Sequence, residues 1–179
     1  MKNIIIIIGM ITFLTSCEKE TDQLEISGYT HTNEDGVIDE NNIDKDDWGL
    51  DDVWDQKIHD IFDTITFESI YLQSFSNYSR NKDVGKGLKK SVYPAYPNPS
   101  STNTRLQIFY PDSCEVKLAF VNSRLEVYHT ISFKFHNTIT IEYALNKFLP
   151  NGLHRLYYKI QTPNEVLYGH GDILKTNYN

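Results

Sequence analysis

The sequence is short of cysteine and of long apolar runs, and its first third is short of positive charge. The 179 residues include 2 cysteines. One of them, Cys17, ends the N-terminal apolar stretch, so the remaining chain has no internal disulfide. Cys114 starts an apolar alternation and reads as a small buried residue. The longest apolar run, residues 4–14, falls well short of the roughly 20 residues that cross a bilayer as a helix. Residues 18–60 hold 15 acidic residues against 3 lysines, whereas 61–179 hold 9 against 13 lysines and arginines. The net charge of −7 therefore belongs to one segment. Such a segment argues against nucleic acid as a partner and is repelled by an anionic membrane surface.

The N-terminus reads MKNIIIIIGMITFLTSC. Lys2 gives a positive start, residues 4–14 have the length of a secretory h-region, and small residues precede Cys17. Leu14-Thr15-Ser16-Cys17 resembles the lipobox cut by lipoprotein signal peptidase. The resemblance implies removal of residues 1–16, acylation of Cys17, and anchoring by several acyl chains, which hold where one holds only marginally. Glu18-Lys19-Glu20 resembles the lipoprotein export signal of bacteria with type IX secretion. It implies an outer-membrane protein displayed on the cell surface.

Residues 17–50 are rich in Asp, Glu, Asn and Thr and lack apolar periodicity, which predicts a flexible acidic tether. Residues 51–62 predict a short helix, with Asp51 and Asp52 at its start and Trp54, Ile58 and Ile61 on one stripe. Residues 63–79 fit a strand with polar interruptions, and 80–91 a basic, glycine-containing linker.

From residue 92 the pattern changes to period two. Leu106, Ile108 and Tyr110 share one parity, then Val116, Leu118 and Phe120. Leu125, Val127, Ile131, Phe133 and Phe135 follow, then Ile139, Ile141 and Tyr143, then Leu156, Tyr158 and Ile160. Each set reads as a half-buried antiparallel strand. Pro111-Asp112-Ser113, Asn122-Ser123, His136-Asn137, Pro150-Asn151-Gly152 and Thr162-Pro163-Asn164 supply turns. With an opening strand and a last one at 166–174, the count is about seven. The predicted fold is all-β, an Ig-like antiparallel β-sandwich over residues 92–175.

Tyr96-Pro97-Asn98-Pro99, the alternating strands, Arg124-Leu125-Glu126-Val127 and Leu149-Pro150-Asn151-Gly152 together resemble the C-terminal sorting domain of type IX secretion cargo. The layout also resembles the Ig-like domain of the flagellar hook-capping protein. The resemblance covers about half of the mature chain and implies a non-catalytic sandwich. Ser123 stands where the family has a turn glycine, the aromatic after the LPxG turn is displaced to Tyr157 and Tyr158, and four residues follow Lys175. Sorting domains usually accompany an ordinary signal peptide, so a lipid anchor sits uneasily with sorting.

Candidate chemistry is sparse. Asn33-Glu34-Asp35-Gly36 through Asp39 resembles an acidic calcium loop, with Asn33, Asp35 and Asp39 as ligands, calcium being the one cofactor in view. The bland alternative is a solvated tether. The six histidines form no HExxH or Cys–His set. Tyr168-Gly169-His170-Gly171-Asp172 offers a His–Asp pair, set aside because neighbours on a strand face opposite ways and no GxSxG elbow exists. Lys82, Lys86, Lys89 and Lys90 suit a solvated linker, an acidic glycan or the acidic tether. Arg105, Phe109, Tyr128, Arg155, Tyr157 and Lys159 share the outward parity. Tyrosine with arginine on one face suits a binding surface, or equally a face covered by the 51–62 helix. The expected protein is a non-enzymatic, lipid-anchored envelope protein whose sandwich mediates assembly or adhesion. Its partners are then the membrane, through Cys17, and an envelope or secretion-machinery protein. The alternatives are a type IX sorting or docking module and an accessory to a hydrolase or glycan-processing system.

Overall fold

The computed structural model of the chain describes residues 23–70 and 90–177. Cys17, the 18–20 motif, residues 71–79 of the expected strand and nearly all of the basic linker lie outside those residues.

The elements in chain order are β1 (Gly49–Asp51), α1 (Gln56–Thr64), β2 (Glu68–Ser69), β3 (Ser91–Tyr96), β4 (Asn103–Val121), β5 (Val127–Ala144), β6 (Gly152–Gln161) and β7 (Val166–Lys175), with a 3₁₀ turn at Leu145–Lys147. The all-β expectation holds. The strands pair in the order β1-β7-β6-β4-β5-β2, and β3 pairs with β4 off that path. All pairings are antiparallel except β2 with β5.

The expected number of strands is met by a different set. The segments around Leu106 and Val116 are one strand, and so are those around Ile131 and Ile141. Pro111-Asp112-Ser113 is not a turn: between Tyr110↔Asn137 and Cys114↔Phe135, β4 takes four steps where β5 takes two. The surplus is a bulge, which bends a strand and raises its twist without ending it. Asn137 opposite it has φ 70°, a left-handed conformation that asparagine tolerates better than most residues. The bulge keeps parity. Leu106, Ile108 and Tyr110 before it and Cys114, Val116, Leu118 and Phe120 after it enter one core, with Val92 and Ala95 of β3, Ile131 and Phe133 of β5, and Leu156, Tyr158 and Ile160 of β6. The sheet thus folds over its own inner face, sandwich-fashion, with β3 on one side of the core and β6 on the other.

A second cluster lies on the opposite face of β4 and β6. Trp54, Ile58 and Phe62 pack there on Ala119, Val121 and Tyr157. The expected helix exists but starts at Gln56, because Asp51 is spent in β1. Its stripe runs Trp54, Ile58, Phe62, each 4% exposed, with Ile61 to one side. The expected strand at 63–79 is reduced, within the described residues, to β2.

The flexible-tether expectation fails from residue 23 onward. Thr30 and Thr32 are buried, Trp48 is 7% exposed, and β1 extends the sheet beside β7. The segment buries little of its own surface, but it lies as a strap along a sheet edge that already exists. Backbone pairing there offsets the ordering entropy that an isolated acidic segment could not.

Candidate functional site

The strap fastens to β7 by a row of hydrogen bonds, several made by side chains. Along the outer edge of β7, Trp48 N donates to His170 O at 3.0 Å. Asp172 N donates to Asp47 Oδ1 at 2.5 Å, and Asn98 Nδ2 donates to Asp172 O at 2.8 Å. Leu174 N donates to Asn98 Oδ1 and Ser100 N to Leu174 O, both at 3.0 Å. An exposed edge would be a template for another chain's strand; here Asp47, Asn98 and Ser100 occupy it. Asn98, fully buried, also donates to Thr30 O at 3.1 Å, and its backbone exchanges hydrogen bonds with Thr32. The asparagine of the YPNP motif therefore joins strap, β3 and β7. Both X–Pro bonds of the motif are cis. Gly171 is required by this packing, since a Cβ there would strike the Trp48 indole.

Alternate residues of β6 and β7 face α1. The register pairs Arg155 with Asp172, Tyr157 with His170 and Lys159 with Tyr168. Arg155 donates through Nε and Nη2 to the two Asp172 oxygens, both at 2.7 Å, with side chains 13% and 2% exposed. Burial would lower the Arg155 pKa, but the hydrogen bonds and charge of Asp172 hold it above the ordinary arginine value. His170 Nδ1 lies 2.9 Å from Asp51, which also accepts Trp54 Nε1 at 2.8 Å. The Trp54 ring meets Tyr157 edge-on at 5.4 Å and Tyr168 at 4.7 Å. A groove of about 390 Å³ opens between α1, the start of the strap and β6. Leu24, Val53, Trp54 and Leu125 give it apolar lining, and Asp51, Arg155 and His170 polar lining. Chemically, Arg155 is held in a two-bond pair by the Asp172 carboxylate. Asp51 meets both the His170 ring and the Trp54 indole, and so clamps β1 to β7 and to the segment leading into α1.

Asp47 is the electrostatic outlier. Burial pushes its carboxyl up to about 7, the Asp172 charge adds to the rise, and hydrogen bonds from Thr30 and Asp172 only partly oppose it. In contrast, the buried Cys114 thiol, pushed up to about 12, is held as a protonated core residue, as its place in the alternation implied.

The six residues expected on one outward face are divided. Arg155, Tyr157 and Lys159 do share a face, but α1 covers it and Tyr157 is only 5% exposed. Lys159 Nζ lies over the Tyr168 ring at 5.9 Å. Phe109 is buried at 8%. Arg105, before the β4 bulge, reaches Glu142 at 3.4 Å beside a separate polar hollow of about 460 Å³. Tyr128 alone of the three aromatics is exposed, its ring edge-on to His154 at 5.4 Å. The expected single face fails because parity says which side of a strand a residue takes, not what lies over that side.

In the acidic turn, Asn33 Oδ1 accepts from Asp35 N at 3.0 Å and Val37 N at 2.9 Å, with Gly36 at φ 78°. Asp39 accepts from Asn42 Nδ2 at 2.6 Å and Asn41 N at 3.0 Å, which lower its pKa. Asn33 and Asp39 thus shape turns, while the Asp35 side chain is exposed. Among the described residues no three His, Cys, Asp or Glu side chains converge as a metal site would need.

Asp47 and Asp51 carry no site signal in the sequence, and the ground for setting aside the His170–Asp172 pair needs correcting. His170 and Asp172 are two apart, not adjacent, so they share a face. That spacing was available in the sequence; the partners supplied by the strap were not. No family model, no curated protein and no solved structure matches the chain.

Proposed function

We propose that the protein is a lipid-anchored component of a bacterial cell envelope, held by Cys17, whose β-sandwich mediates protein assembly or adhesion without chemistry of its own. The leader carries this reading: a positive residue, an apolar run too short to span, and small residues before Cys17. The groove is consistent with it. Arg155 pairs with Asp172, and Asp51 holds both the His170 ring and the Trp54 indole, so these side chains tie strands and helix together. The YPNP motif supports folding directly through Asn98, so its presence accords with a sandwich of this type whether or not it sorts.

The test is Cys17→Ala with metabolic labelling by a palmitate analogue, followed by membrane fractionation and pull-down. Labelled wild type in the envelope fraction, unlabelled variant, and an envelope protein captured only by the anchored form are expected. Equal label in both forms refutes the anchor. Capture of the same protein by both forms limits the anchor to localisation.

A further inference from the structure

The start of the folded chain, the groove beside it and the exposed apolar residues at that rim belong together. Gln23 is the first described residue, and five residues separate it from Cys17. Even fully extended, that stretch reaches only about 20 Å. Leu24 is then fixed to the domain: its N–H donates to Ser123 O at 2.6 Å, and its side chain packs beside Trp54 and Tyr157. The acidic segment is therefore no long spacer. Once Cys17 is in a bilayer, the 23–25 end of the domain stays within one short tether of the headgroups.

The same rim carries Val53, the most exposed large apolar residue described, at 80%. Val53 and residues 23–25 line one groove. Leu50, just before it at the sheet's outer strand, is 47% exposed. The nearby charges are mostly acidic: Glu25, Asp52 and Asp55 against Lys57 and Arg124, all exposed. A rim of this kind is compatible with zwitterionic headgroups and is pushed off by anionic ones.

We infer that the groove rim formed by residues 23–25 and Val53 is the membrane-apposed face of the anchored domain, resting on zwitterionic lipid, with β3 turned away. The inference rests on the anchor at Cys17. It places the domain against its own bilayer and leaves the β3 side, with the Arg105–Glu142 hollow, as the side presented to other molecules. Tyr93 marks that side: it is 38% exposed and alternates with the core residue Val92.

The acylated protein, purified in detergent and reconstituted into phosphatidylcholine vesicles, provides the test. Val53→Cys and Tyr93→Cys each carry a fluorophore, Cys114 being buried, and a fraction of the lipid bears a headgroup nitroxide. Quenching at position 53 several-fold above that at position 93 is expected, and anionic phosphatidylglycerol should shrink the difference. Equal quenching at both positions, or stronger quenching at 93, overturns the apposition. An increase on adding anionic lipid overturns the zwitterionic preference. Protein that does not float with the vesicles refutes the anchor instead, so the two failures are distinct. Val53 is exposed enough that its replacement leaves packing intact.

Discussion

Residues 91–175 and residues 23–64 are ordered by opposite means. The first region has long alternating strands whose inner residues fill their own core: Leu118, Phe120, Leu156 and Tyr158 are fully buried among themselves. The second has a three-residue strand, a nine-residue helix and a largely polar strap. Its order comes from docking onto the finished sheet, through Trp54, Ile58 and Phe62 on one side and Asp47, Trp48 and the β7 edge on the other. A helix this short is marginal in isolation, and its stability comes from the face it buries. The difference teaches that low apolar content marks a segment unable to fold alone, not one that stays unfolded beside a partner surface.

The comparison breaks most sharply at two aromatic residues on opposite faces of the sheet. Phe120 sits in the self-made core, in edge contact with Tyr143 at 5.3 Å and Phe148 at 5.0 Å. Phe120→Ala should cost about 3–5 kcal/mol, a large share of the 5–15 kcal/mol typical of a domain. Tyr157 lies under α1, and Tyr157→Ala should cost about 3 kcal/mol through the cavity it leaves beneath Trp54. Urea midpoints give the sizes, and amide exchange gives the distribution. Phe120→Ala should speed exchange throughout 91–175. Tyr157→Ala should release residues 54–64 first while the β4–β5 pairing stays protected. A cost below 1 kcal/mol for Tyr157→Ala would mean that α1 leaves this face uncovered.

What the sequence made legible follows the same division. The period-two pattern correctly places Leu106, Ile108, Val116, Leu118, Ile131, Phe133, Ile141, Leu156 and Ile160 in the core, because alternation depends only on strand geometry. It could not tell whether Pro111-Asp112-Ser113 ends a strand or bends it, since the same polar residues serve both. Nor could it show that Val127 leaves the main core for the helix side, which follows from the register shift between Phe120↔His129 and Val121↔Val127. The groove was half legible. Its Arg155 and Tyr157 came from strand parity, whereas its Asp51 reaches β7 across more than a hundred residues of chain.

The strap's own weakness gives a smaller, pH-dependent effect. Asp47 is raised from 3.8 to about 7 in the fold, so the folded protein holds this proton more tightly than the unfolded chain does. Its contribution is fully present below pH 4 and is lost as pH rises through about 7. The slope between those limits is at most about 1.4 kcal/mol per pH unit. Facing Asp47 are Thr30, Tyr158 and Asp172, whose carboxylate is paired with Arg155. Exchange protection of residues 28–48 should thus fall between pH 5 and 7.5, and Asp47→Asn should flatten that fall. Identical profiles for wild type and Asp47→Asn would show that Asp47 does not carry it.

The smallest effect belongs to Tyr128, and it tests whether exposure or parity decides the cost of truncation. Both Tyr128 and Tyr157 read as outward aromatics in the sequence, yet only Tyr128 remains 37% exposed. Its hydroxyl accepts from Asn122 Nδ2 at 3.3 Å in an exposed turn, and its ring borders His154. Burial lowers the pKa of His154, whose Nε2 meets Pro150 O at 2.8 Å, so this ring is held by the Pro150 turn rather than by Tyr128. Removing the phenol opens no enclosed cavity and leaves no buried polar atom newly unpaired. Tyr128→Ala should therefore stay within about 1 kcal/mol of wild type. Measured beside Tyr157→Ala in one urea series, it holds residue type and parity constant and varies only the cover. Equal losses would show that α1 contributes nothing at Tyr157. A larger loss at Tyr128 would mean that the 122–128 turn, not the helix, closes this side of the sandwich.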